Sequence, residues 1–217
     1  SAQMLAPTGL DQSHMPGLVE GTIVAGTLKP EFLSRWGLSG PVVLAGGAGD
    51  NAASACGIGA IQPGEGFVSL GTSGVLFVCN PKFSPNTQAA LHAFCHAIAD
   101  TWHQMGAILS ATDSLNWLAA LTGQDAAGLA LKAEANFTGP GDEVFLPYLS
   151  GERTPHNNTG ARASFAGLSH RSDPARLTQA VMEGVAFAFR DCQRVLDEAG
   201  TNISRLIAVG GGSKSDL

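Results

Sequence analysis

Apolar residues recur along the chain in two rhythms. Between Asp173 and Gly200, Leu177, Val181, Val185, Cys192 and Leu196 keep roughly helical spacing. Asp173 stands as an N-cap, Pro174 falls in the first turn and Gly200 follows the end, which predicts the longest helix of the chain. A second helix is predicted over 111–122, where Leu115, Leu118, Ala119 and Leu121 or Thr122 form an apolar face and Gly123 is placed to cap it. Elsewhere the apolar runs are short and rich in β-formers. GFVSL at 66–70 and VLFVCN at 75–80 flank GTSG, which has the length of a tight hairpin connection. Residues 89–98, 101–109 and 144–149 continue the β pattern, and LIAVGGG at 206–212 reads as a strand running into glycines.

The first 38 residues have a different texture. They hold a Pro- and Gly-containing start, a β-like GTIVAG at 21–26, and KPEFLSRWGL at 29–38, where Pro30 suits a first helical turn. This stretch is expected to belong to a neighbouring domain or a linker. From residue 39 onward the pattern predicts a buried strand at 41–45, a glycine loop, a small-residue helix over 52–56, an antiparallel meander opened by a tight turn, and then helices alternating with strands. That order is an α/β arrangement, not a run of simple βαβ units.

Composition narrows the function classes. With 217 residues, 44% hydrophobic and 14% charged, the chain can bury a substantial core. Its formal net charge of -6 offers no basic footprint for nucleic acid. The apolar runs fall short of the roughly 18 residues that suggest a membrane span, and SAQMLAPTG is not a basic-then-apolar signal, so a cytoplasmic protein is expected. Cys56, Cys79, Cys95 and Cys192 are widely spaced without a CxxC pair, and buried thiols are expected in preference to disulfides or zinc.

Candidate chemistry begins with LAGGAGDNAA at 44–53. Its core, GAGDNA, satisfies the dinucleotide pattern G-x-G-x-x-[GA], but the acidic residue expected about 20 positions later is lacking, since Glu65 precedes the next strand. Asp50 could simply cap a helix. What raises it above a cap is GTSG some twenty residues on, a turn able to offer backbone N–H groups and two hydroxyls to an anion. A carboxylate and an anion-binding turn together point to phosphoryl transfer, with an ordinary hairpin turn as the alternative. GTSG is neither a Walker loop nor a nucleophile elbow, because the lysine of the first and the final glycine of the second are absent.

Three further groups stay open. His92, Cys95, His96 and His103 look like a metal cluster, yet in an extended stretch positions 92 and 96 lie about 13 Å apart. GERTPH at 151–156 sets Glu152 beside Arg153, either as an ion pair that fixes a loop or as substrate contacts. VGGGSKS at 209–215 could let a flat ring rest on bare backbone or could be a strand-ending turn. Trp117 and Phe189 are expected in the core.

Six blocks, GAGDNAASACGIG, VSLGTSGVLF, HAFCHAIADTWHQMGAILSA, FLPYLSGERTPHNN, FAGLSHRSDPARLTQAVMEGVAFAFRD and VGGGSKS, resemble in order the C-terminal half of the FGGY carbohydrate kinases, among them the xylulokinases. The likeness runs from about Met15 to the last residue, and PYLSGERTPH is its most distinctive phrase. It implies an α/β fold of the actin-like ATPase type, a ribonuclease-H-like domain with a mixed sheet flanked by helices, incomplete here. It implies Asp50 as catalytic base, Asn51 beside it holding the sugar, Gly71, Thr72 and Ser73 as a phosphate-binding turn, and Gly210, Gly211 and Gly212 with Ser215 as an adenosine motif. ATP and Mg²⁺ are the implied cofactors and a ketopentose, D-xylulose foremost, the implied substrate; no residue is assigned as a metal ligand.

The same likeness makes residues 1–38 the tail of an N-terminal kinase domain with its linker, and 39–217 the ATP-side C-terminal domain, cut after the adenosine motif. The family's N-terminal D-x-G-T loop is not in the chain. A missing N-terminal kinase domain is therefore the expected partner, a homodimer stays open, and the chain alone is expected to fold but to be nearly inactive. Arg176 departs from the family pattern, which commonly has an acidic or amide residue there. Another FGGY sugar or polyol kinase, a non-catalytic nucleotide- or sugar-binding relative, and an NAD-dependent oxidoreductase are the competing readings.

Overall fold

The computed structural model describes residues 1–214. A short helix, α1 (Ala2–Leu5), and two single 3₁₀ turns open the chain. Then β1 (Val24–Thr27) pairs antiparallel with β2 (Val43–Ala45) in a two-stranded ribbon, with α2 (Pro30–Arg35) between them and Pro30 in its first turn. The main sheet is built of β3 (Glu65–Leu70), β4 (Gly74–Asn80), β5 (His92–Cys95), β6 (Trp102–Ile108) and β9 (Arg205–Val209). Their order across it is β5-β6-β4-β3-β9. All neighbours are antiparallel except β3 and β9, which run parallel. A second ribbon, β7 (Val144–Leu146) with β8 (Ser164–Ala166), lies beside the long helix α6 (Pro174–Glu198).

Side chains alternate across the sheet and so sort its two faces. On one face Phe67 and Phe77, a cross-strand pair stacked 4.8 Å apart, meet Ala55 of α3 (Asp50–Gly57), Ala60 and Cys79. On the other, Leu76, Val78 and Ile108 pack against Ala188, Cys192, Val195 and Leu196 of α6. Gly106 permits that layer: a Cβ there would sit 2.7 Å from the Cys192 Cβ. The first half of α6 gathers α4 (Thr112–Thr122), α5 (Ala126–Asn136) and β7 around Leu118, Leu129, Phe145 and Val181. The α6 N-cap is Asp173, whose carboxylate accepts from Arg176 N–H at 3.0 Å, and Gly200 beyond its end has φ +81°, a left-handed geometry that favours glycine. Arg176 itself reaches Glu143 at 3.8 Å and Asp142 at 4.0 Å, tying the loop before β7 to α6.

Several expectations need correction. The 41–45 run does form β2, but Val43 is 57% exposed and Leu44 45%, because among the described residues β2 pairs with β1 alone and no second layer covers it. The meander is not sequential, since β5 takes the sheet edge and β6 returns to pair with β4. The strand expected over 144–149 stops at Leu146, where Pro147 has no N–H to donate. Helix α5 went unforeseen; its signals are Asp125, which caps Gly128 N–H at 2.7 Å, and Leu129 and Ala133, buried four residues apart. All four cysteines are free, but only Cys79 and Cys192 are buried. Burial pushes both of those thiols up to about 12. Among the described residues no helix is long and apolar enough to cross a membrane.

His103 stacks on Phe77 at 4.5 Å and is 4% exposed, so desolvation lowers its pKa to about 4, with His96 6.0 Å away pushing in the same direction. His96 is also lowered by burial. A lowered imidazole pKa means that the unfolded chain binds more protons, so the stabilisation is complete above the ordinary value near 6.5 and is lost as pH falls toward 4. Denaturant titrations between pH 7.5 and 5 should show stability falling by about 1–2 kcal/mol, and His103→Gln should flatten that slope. An unchanged slope in the variant would remove His103 from the acid response.

Candidate functional site

The β3–β4 connection is Gly71, Thr72 and Ser73, closed by the Leu70–Gly74 pair. Its carbonyls turn inward onto the start of α4. Thr72 O accepts from Ala111 N–H at 2.8 Å, and Gly71 O accepts from Thr112 N–H at 3.0 Å and from the Thr112 hydroxyl at 2.8 Å. Donors that a helix start leaves unsatisfied are thereby used within the protein. Thr72 and Ser73 stay exposed, and among the described residues no backbone carbonyl accepts from their N–H groups.

Because β9 runs parallel to β3, with Val209 opposite Ser69, the chain leaving β9 lies beside this turn. Gly210 has φ +94°, and a Cβ on it would lie 2.8 Å from Leu70 O. A Cβ on Gly212 would fall 2.8 Å from the Leu70 Cβ and 2.9 Å from the Thr112 methyl. These contacts press bare backbone against the end of β3, whereas Gly211 faces open space.

One groove of about 1520 Å³ joins these parts. Gly71, Thr72, Gly211, Gly212 and Lys214 line one side of it, and Leu115, Ala130, Phe137, Val185 and Phe189 of the helical layer give the other an apolar wall. Lys214, Thr112 and the α5 wall were not singled out in the sequence. The lysine after the glycines was the available signal for the first of these.

Asp50 and Asn51 are elsewhere. Asp50 is the first residue of α3, exposed, with Gly49 in the N-cap position, so the carboxylate is not the cap. Its Oδ1 accepts from Asn51 N–H at 2.8 Å and from the Asn51 amide at 3.2 Å, which orients the carboxylate and leaves Oδ2 open. A carboxylate in a first helical turn is favoured by the helix dipole. Helix α3 covers the sheet face opposite α6, and its far end is tied where the Cys79 thiol donates to Ala60 O at 3.0 Å. Ser73 and Gly210 belong to the turn region without lining the groove, and none of the GAGDNA residues lines it. Ser215 lies outside the described residues.

The remaining candidates separate. Among the described residues no group of three His, Cys, Asp or Glu side chains could hold a metal ion. Glu152 and Arg153 do not pair: Glu152 Oε1 accepts backbone N–H groups, while the Arg153 guanidinium points to His92 at 3.4 Å.

The FGGY family of carbohydrate kinases, C-terminal domain, matches residues 66–217. The xylulose kinase of Klebsiella pneumoniae is 43% identical over 98% of this chain and that of Escherichia coli K12 42%, each match covering 44% of the relative. The chain thus spans less than half the length of the curated relatives it matches. Among solved structures, a xyloylose kinase from Brucella ovis superposes with a TM-score of 0.96 at 54% identity, over 99% of this chain and 44% of that one. A xylulose kinase from Rhodospirillum rubrum gives 0.88 at 29%, over 100% and 44%. The five-stranded mixed sheet flanked by helices is of the actin-like ATPase type that these relatives share. By the extent of these matches, the chain belongs to the FGGY family of carbohydrate kinases.

Proposed function

We propose that this chain is the ATP-side portion of a kinase that phosphorylates a ketopentose, D-xylulose foremost, in the cytoplasm. Residues 39–217 would be the C-terminal domain, and 1–38 the tail of the N-terminal domain and its linker. The observation that carries the reading is the single groove that sets Thr72, Gly211, Gly212 and Lys214 beside an apolar wall. Exposed N–H groups, hydroxyls and one ammonium match a polyphosphate, and the apolar side matches a flat heteroaromatic ring.

In this reading Gly71, Thr72 and Ser73 bind phosphate, and Gly210 to Gly212 with Ser215 carry the adenosine. Asp50, through its free Oδ2, takes the proton from the attacking sugar hydroxyl while Asn51 helps to hold the sugar. The carboxylates that line the groove, Glu134 and Glu183, belong to α5 and α6, and Glu183 is engaged with Gly141 N–H at 3.2 Å. When bound with the nucleotide, Mg²⁺ would neutralise charge on the phosphates. Phosphoryl transfer needs positioning above all, and this chain supplies one side of that clamp.

An ADP-release assay with ATP and D-xylulose tests the reading. The isolated chain is expected to turn over negligibly, and a protein that restores the N-terminal half to phosphorylate the sugar. Turnover by the isolated chain near that of a complete kinase would refute the division of labour. Failure of the restored protein with every ketopentose would refute the substrate class.

A further inference from the structure

Glu152 takes no part in the chemistry above, yet its side chain is only 2% exposed. A carboxyl group is costly to bury unless its bonds serve the fold. Its Oε1 accepts from Leu109 N–H at 3.0 Å and Arg153 N–H at 2.7 Å, and Oε2 has no partner among the described residues. Desolvation raises its pKa against the pull of those donors and of the Arg153 charge. Tyr148 and, from α6, Cys192 are the other titratable groups that feel it.

Two residues on, Thr154 continues the attachment. Its N–H donates to Ala107 O at 3.1 Å; its hydroxyl accepts from Ala107 N–H at 3.1 Å and donates to Ala90 O at 3.0 Å. The 152–154 segment thus docks along the last residues of β6. Immediately beyond Leu109 and the buried Ser110 come Ala111 and Thr112, whose N–H groups hold Thr72 O and Gly71 O. The carboxyl group and the β3–β4 turn hold the two ends of one short span, which Ile108, paired with Gly74, and the buried Ala111 also tie to the sheet and core.

We infer that Glu152 is a positioning residue: by fixing Leu109 it sets Ala111 and Thr112, and through them the Gly71–Ser73 turn that would face the polyphosphate. The ligand named here rests on the nucleotide reading above; the mechanical link does not. The role requires an acceptor oxygen and no charge, so glutamine should serve.

Amide hydrogen exchange on this chain without ligand tests the link. Glu152→Ala is expected to speed exchange at Ala111 and Thr112 by about tenfold or more while α6 amides around Cys192 keep their protection, and Glu152→Gln to restore the original rates. Uniform loss of protection, or a glutamine variant as fast as the alanine one, would overturn the inference. Calorimetric titration supplies the second arm: Glu152→Ala should weaken ATP by about tenfold and leave adenosine unchanged. Equal weakening of both ligands would sever the residue from the turn's function. If the unaltered chain takes up neither nucleotide, the nucleotide reading falls, while the exchange rates still decide whether Glu152 positions the turn.

Discussion

Asp50→Ala, placed in a complete kinase that contains this sequence, is expected to lower turnover by roughly 10²- to 10⁴-fold, about 3–5 kcal/mol of transition-state stabilisation. The expectation rests on the base role proposed for Asp50, with which the local geometry is compatible. The carboxylate is exposed at the start of α3, its Oδ1 is occupied by Asn51, and Oδ2 is open to a hydroxyl proton. Because Asp50 does not line the groove, ATP affinity should change by no more than about twofold. Asp50→Asn keeps the shape and the Asn51 contact but removes the basic oxygen, and should lose as much as alanine does. Near-normal sugar phosphorylation by either variant would take Asp50 out of the mechanism.

The second large effect concerns stability. Phe77 is fully buried, stacked 4.8 Å from Phe67 and 4.5 Å from His103, at the centre of the layer between the sheet and α3. Truncating such a ring loses its transfer free energy and leaves a cavity, so Phe77→Ala should cost about 3–5 kcal/mol. Domains of this kind hold about 5–15 kcal/mol in all, so the variant should retain little margin. In urea the midpoint should fall with the slope unchanged, whereas Phe187→Ala, at a position 60% exposed, should barely move it. A loss below about 1 kcal/mol for Phe77→Ala would mean that this layer is loosely packed.

What could be read in advance follows from how local each signal is. The cap and first turn of α6, Asp173 and Pro174, and its apolar stripe lie within one stretch and identify it without any tertiary information. GTSG between two β runs announces a hairpin for the same reason. The apolar groove wall could not be read this way, because α4, α5 and α6 assemble it from segments distant in sequence and α5 is a run of alanines with weak contrast between its faces. An apolar run such as 41–45 looks alike whether covered or bare, and only tertiary partners decide; among the described residues β2 pairs with no strand beyond β1. Glu152 beside Arg153 suggested an ion pair or a substrate contact, while its carboxylate accepts from the backbone N–H of Arg153 and from that of Leu109, 43 residues away. The turn and the glycine run stood out by their own residues and took their phosphate and adenosine roles from family likeness, and the structure adds the parallel β3–β9 pairing that brings them side by side.

The uneven placement of the four thiols makes the molecule its own strain gauge. A reagent in solution meets Cys56, on the helix that begins with Asp50, and Cys95 on the edge strand. Cys79 and Cys192 stay out of reach, one behind each face of the central sheet, until the layers that cover them part.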